Sequence, residues 1–129
     1  MQLPNDLKYT KTHEWVRQES DGTLTVGITD HAQQQLGDVV FVDMPAAGRS
    51  FGKGEECGVI ESVKAAADIY APVAGEIVAS NAALTEAPEK VNEAPYETWL
   101  FKIKPQNAAE VQNLLDAAGY REIAESEQH

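Results

Sequence analysis

The sequence predicts a mainly β protein, a sandwich or flattened barrel with a short helix near Asp30 to Leu36 and a C-terminal helix. Three observations carry this. Five or more segments show the alternation or the short continuous apolar run of strands. Clusters of Gly, Pro, Ser and Asp punctuate them at turn-like intervals. Apolar residues at helical spacing occur in only two places.

The elements follow in order. Leu7-Lys8-Tyr9 forms a first strand. Glu14 to Glu19 and Leu24 to Ile28 flank the turn Ser20-Asp21-Gly22 and make a hairpin anchored by Trp15. Thr29 caps one or two helical turns over Asp30 to Leu36, which bury Ala32 and Leu36 and stop at Gly37. Val39-Val40-Phe41-Val42 is nearly all apolar and reads as a strand buried on both faces. Turns follow at Pro45 to Gly48 and Gly52 to Gly54, then a hairpin from Val59 to Tyr70, then the strand Glu76 to Ala79. Pro45-Ala46-Ala47-Gly48 and Pro72-Val73-Ala74-Gly75 share a Pro-x-Ala-Gly pattern, as a quasi-two-fold sandwich would produce; chance recurrence of turn residues gives the same match. Asn81 to Glu97 has few large apolar residues and reads as a long surface loop. Trp99 to Lys104 is a strand with Trp99, Phe101 and Ile103 on one face. Asn107 and Glu110 begin a helix that carries Val111, Leu114, Leu115 and Ala118 on one side and ends at Gly119. The polar residues after Ile123 fray.

With 129 residues the chain makes one domain: a core over about 7–104, a helix over about 107–118 and a tail over 124–129. Its net charge of −11 disfavours nucleic acid and anionic membranes as partners. No apolar run reaches the length of a membrane span, and Met1 to Asp6 lacks the look of a secretory or transit peptide, so a cytoplasmic protein is expected. Cys57 is the only cysteine, so any dithiol chemistry needs an attached group. His13, His31 and His129 lack metal-ligand spacing, and no metal is expected.

The stretch Gly58 to Pro72 organises the rest. β-branched residues open it, small residues surround a single Lys, and an apolar run closes it. Three consecutive alanines are too few to nucleate a helix between strands, so Lys64 falls at a hairpin tip. An exposed Lys is charged at neutral pH, which argues against Schiff-base or general-base work. On the residues alone two readings stand: a solvated surface Lys, or an amine presented for covalent attachment.

Glu61-Ser62-Val63-Lys64-Ala65 followed by Ala71-Pro72 resembles the lipoyl-attachment motif of the glycine cleavage system H proteins. The resemblance extends through Leu7-Lys8-Tyr9, His13 to Val16, Val26 to Gln33, Leu36 to Val42, Ala71 to Ile77, Val91-Asn92, Pro95-Tyr96 and Trp99 to Ile103. One departure is visible: Glu97-Thr98 replaces the family's Gly-containing turn before the Trp.

The resemblance implies a lipoyl/biotinyl-type β-sandwich (flattened barrel hybrid) and a non-catalytic, monomeric carrier, its lipoate amide-linked to Lys64 as N6-lipoyl-lysine. Implied partners are a pyridoxal-phosphate glycine decarboxylase (P protein), a tetrahydrofolate-dependent aminomethyltransferase (T protein), dihydrolipoamide dehydrogenase (L protein) and the lipoyl-attaching enzymes. These enzymes would read Glu61, with Ser62, Val63 and Ala65 completing the motif. Glu14 and Asp68, with Thr12 and His31, are the implied docking residues for the aminomethyl-bearing arm. A biotin carrier would place Met on both sides of the Lys, where Val63 and Ala65 stand. A 2-oxo-acid dehydrogenase lipoyl domain would have Asp before the Lys and a flexible linker. An H-protein-like lipoyl relay, or an unmodified interaction module, is the remaining alternative.

Overall fold

The computed structural model describes residues 3–126; Met1, Gln2 and the last three residues, His129 among them, lie outside the described residues. Nine strands are described: β1 (Lys8–Tyr9), β2 (Glu14–Gln18), β3 (Leu24–Ile28), β4 (Val39–Asp43), β5 (Ser50–Phe51), β6 (Glu56–Ser62), β7 (Ala66–Tyr70), β8 (Gly75–Ser80) and β9 (Phe101–Pro105). They pair antiparallel into two open sheets, a six-stranded one ordered β1-β2-β3-β9-β8-β5 and a three-stranded one ordered β4-β6-β7. The two Pro-x-Ala-Gly turns do equivalent work. Each takes the chain from the smaller sheet to the larger, and the strands they deliver, β5 and β8, pair with each other.

Most of the core lies between the sheets, where Val16, Val26, Ile77, Phe101 and Ile103 of the larger meet Val42, Ile60 and Ile69 of the smaller. A second apolar cluster gathers Leu7, Tyr9 and Trp15 with Tyr120 and Ala124 from helix α4 (Ala117–Ser126). Alternation along β2 feeds both, with Val16 in the main core and Trp15 in the second. Gly27 is the cross-strand partner of Trp15, and a Cβ there would come within 2.4 Å of the indole ring. Only glycine leaves room for that ring to lie across the sheet.

Helix α1 (Asp30–Leu36) is capped as expected, with Thr29 Oγ1 accepting from Ala32 N and Gly37 closing it at φ 79°. Its buried residues are His31 and Leu36, whereas Ala32 is half-buried. The β4 expectation needs a larger correction. Val39 and Val42 point inward, but Val40 and Phe41 are 55% and 48% exposed. A bulge between Val39 and Phe41 breaks the alternation and turns both neighbours toward solvent.

Residues 81–97 are not a bare loop. They hold helices α2 (Ala83–Glu86) and α3 (Lys90–Glu93), each pinned by one buried residue, Leu84 and Val91. One anchor per helix leaves no periodicity to read. Trp99 lies before β9 and packs toward the second cluster, not on the face of Phe101 and Ile103. The Glu97-Thr98 turn is closed without glycine: both amides donate to Ala94 O, and Thr98 Oγ1 donates to Lys90 O at 3.0 Å.

The helix expected over 107–118 is broken in two. A 3-10 segment, Ala108–Asn113, is capped by Asn107. Leu115 then leaves the helical path to exchange backbone hydrogen bonds with Tyr9, at 2.7 and 2.8 Å. Asp116 Oδ1 accepts from Gly119 N and restarts the chain as α4, so Gly119 lies inside a helix instead of ending one. The first described residues of the expected frayed tail, Ala124 to Ser126, are helical because Ala124 is buried in the second cluster.

Candidate functional site

β6 and β7 form the hairpin expected around Lys64, with Val63, Lys64 and Ala65 at its tip. Ser62 shapes the tip. Its amide donates to Ala65 O at 2.7 Å, while its hydroxyl accepts from Lys64 N at 3.3 Å and Ala65 N at 3.0 Å. Val63 N donates to Asp38 O at 3.0 Å, tying the tip to the segment after α1. The Lys64 stem lies across Gly37, where a Cβ would stand 3.2 Å from Lys64 Cε. A residue other than glycine there would crowd the stem and strain a left-handed backbone. Lys64 is thus an exposed amine whose backbone is held from two sides.

That support is itself held from α3. Asn92 Oδ1 accepts from Val39 N at 2.8 Å, and Nδ2 donates to Gly37 O at 2.8 Å and Gln33 Oε1 at 3.0 Å. One amide spends both ends on the segment that braces the tip. Asn92→Ala is expected to cost on the order of 2 kcal/mol, because it orphans polar groups of a half-buried segment. The denaturant midpoint checks this. Asn92→Asp should not rescue, since it sets a carboxylate against Gly37 O, and a wild-type midpoint for either variant counts against the bracing role.

A cavity of about 590 Å³ opens between β1, β2, the end of β7 and the 3-10 segment. Glu14 lines it yet is fully buried. Glu14 Oε1 accepts from the Thr10 and Thr12 hydroxyls, both at 2.5 Å, and Oε2 faces Tyr70 N at 3.5 Å. Burial disfavours the anion more than these bonds favour it, so the carboxyl's pKa is pushed up to about 7. Lys11 and Lys53 also line the cavity but are exposed. Water screens them, which leaves Glu14 as the buried carboxyl of the lining.

A family model described as "Glycine cleavage H-protein" matches residues 7–127. The chain belongs to the glycine cleavage H-protein family. It is 60% identical over 129 residues to the glycine cleavage system H protein of Nitrosospira multiformis, covering all of both chains. It is 66% identical over 124 residues to that of Azoarcus sp., covering 95% of this chain and 98% of the relative. Among solved structures, the crystal structure of a glycine cleavage system H protein from Mycobacterium marinum superposes with a TM-score of 0.83 at 36% identity, over 98% of this chain and 100% of that one.

The structure divides the residues that the H-protein resemblance singled out into four places. Glu61, Ser62, Val63 and Ala65 surround Lys64, with Ser62 shaping the turn. Glu14 and Thr12 meet in the cavity. Asp68 is exposed on β7, two residues before Tyr70 and on the same outward face, so it stands between the tip and the cavity. His31 lies elsewhere. It is buried, with its ring 5.0 Å from that of His13, whose Nδ1 is 2.7 Å from Tyr120 Oη, and it does not line the cavity. It is one of the two buried residues of α1.

Thr10, Tyr70 and Asn92 take parts that the sequence reading did not assign. Thr10 and Thr12 meet Glu14 through the tight turn between β1 and β2, where His13 takes φ 77°, and no strand periodicity in the sequence announces it. Asn92, inside a polar stretch, gives no signal either. Among the described residues no group of three or more His, Cys, Asp or Glu side chains could hold a metal ion. No described helix is long and apolar enough to cross a membrane.

Proposed function

We propose that the chain is the lipoyl-bearing shuttle of the glycine cleavage system: a carrier and not a catalyst, working in the cytoplasm as a single monomeric domain. It would take the aminomethyl group of glycine from the decarboxylase to the tetrahydrofolate-dependent aminomethyltransferase, and meet dihydrolipoamide dehydrogenase for reoxidation. The observation that supports this most is an exposed Lys64 on a braced tip, its stem lying across Gly37.

The residues present fit the group. An amide to Lys64 Nζ would leave the fold untouched, since the side chain contributes nothing to either apolar cluster. When bound, lipoate supplies a disulfide that takes up the one-carbon cargo and cycles through a dithiol. The chain has no thiol that could compete. Cys57 is buried and its pKa is pushed up to about 12 by burial and neighbouring carboxylates, so it stays a thiol. Glu14 would hold the cargo's protonated amine by a charge-assisted hydrogen bond, with Thr10 and Thr12 fixing the carboxylate. Asp68 would guide the cation along β7 toward the cavity. Glu61 would be read during attachment.

The test is intact mass of the chain expressed with a lipoate supply, followed by peptide mapping. A single lipoyl increment on Lys64 is expected. A chain that stays unmodified in a host that lipoylates its own carriers would favour an interaction module instead.

A further inference from the structure

The smaller sheet turns an unusual face to solvent beside the hairpin tip. The bulge at β4 exposes Val40 and Phe41 side by side, and Val63 at the tip is 68% exposed. These are three of the four large apolar side chains exposed among the described residues. They adjoin one another: Phe41 pairs with Glu61, and Val63 N bonds Asp38 O, two residues before Val40. Their surroundings carry one sign of charge. Across β4, β6, β7, the tip and Asp38, Lys64 is the only basic residue, while Asp38, Asp43, Glu61 and Asp68 rim the patch.

We infer that Val40, Phe41 and Val63 form the docking surface for the enzyme that acylates Lys64. This rests on the reading of Lys64 as the attachment site. In that step Nζ, as the free amine, forms an amide bond to the carbonyl carbon of an activated acyl donor, a thioester or mixed anhydride. The donor's bond from that carbon to its leaving group breaks, the leaving group takes the electron pair, and the amine proton passes to a base. Bond formation brings the donor carbon to about 3–3.5 Å from Nζ, so the acylating enzyme must cover the residues beside Lys64. Partners that work at the far end of an attached arm face no such demand. The occupant is therefore a protein with an apolar pocket and a basic rim at the mouth of its acyl site. The pocket takes Phe41 as anchor, and the rim meets the four carboxylates. A strand obeying plain alternation would have buried one of the two β4 residues; the bulge is what presents both.

The experiment follows acylation of the purified chain by a lipoate ligase supplied with lipoate and ATP, using intact mass against time. Phe41→Ser and Val63→Ser are compared with wild type and with Val78→Ser, an exposed apolar residue on the other sheet. The expected result is a fall of at least tenfold in kcat/KM for Phe41→Ser, mostly through KM, a smaller fall for Val63→Ser, and no change for Val78→Ser. Val63 lies at an exposed tip, so its variant keeps the comparison valid if Phe41→Ser folds poorly. Wild-type kinetics in both variants would overturn the inference while leaving Lys64 as the attachment site. So would normal acylation with slowed glycine turnover, which would hand the patch to another partner. Wild type that dimerises in sedimentation, with Phe41→Ser monomeric, would also overturn it by making the patch a self-association face. Failure of wild type to gain mass would remove the attachment reading itself, and this inference with it.

Discussion

Lys64→Arg is expected to yield a folded protein that never gains lipoyl mass and supports no glycine cleavage. Arg keeps the positive charge and a stem long enough to lie over Gly37, so the electrostatics of the tip change little. Its guanidinium stays protonated and delocalised, which removes the free amine that acylation consumes. Stability should move by no more than about 0.5 kcal/mol, because the side chain is exposed and outside both apolar clusters. Two measurements separate the cases. The thermal midpoint should match wild type, and intact mass after lipoate feeding should equal that of the bare variant. Retained lipoyl mass would move the site to another Lys.

The hairpin that carries this prediction was legible because its signals were local and agreed: β-branched residues on both arms, a small-residue middle, and turn residues beyond each end. The same holds for Thr29 and Gly37 around α1. What sequence could not show were the places where tertiary contacts overrode local pattern. Val39 to Val42 looks buried throughout until the bulge opposite Glu61 and Ser62 turns two of its members outward. Val111, Leu114, Leu115 and Ala118 look like one helical face, yet Leu115 is claimed by Tyr9 and Asp116 starts a new helix. Asn92 is polar in a polar stretch, and only the fold shows that its amide braces the segment behind the Lys64 tip. The cavity was half legible. Glu14 could be placed by resemblance, but its burial depends on β1 and the end of β7 closing over it.

That burial sets up the second large effect, at Glu14. Its carboxyl has a folded-state pKa raised from 4.5 to about 7, so the folded chain holds the proton more tightly than the unfolded chain. The stability this contributes is fully present below pH 4.5 and is lost as pH rises to about 7, a loss on the order of 3 kcal/mol. Glu14→Gln should therefore be at least as stable as wild type at pH 8, with its Oε1 still accepting from Thr10 and Thr12. Function should run the other way. A cationic amine from the aminomethyl cargo, entering the cavity, favours the carboxylate and displaces its proton. A charge-assisted hydrogen bond there is worth about 1.5–3 kcal/mol, so its loss should speed escape of the cargo roughly ten- to a hundredfold. The measurement is formaldehyde and ammonia release from the loaded carrier in wild type, Glu14→Gln and Asp68→Asn. Wild-type release should quicken as pH falls well below 7, because the bound amine holds Glu14 ionised to a lower pH than in the empty cavity, and Glu14→Gln should release fast with no such step. Asp68→Asn should change release less, because exposed pairs are worth only about 0–1 kcal/mol. Equal rates in all three proteins, with a flat pH profile, would take Glu14 out of cargo protection and leave that task to the walls of the cavity.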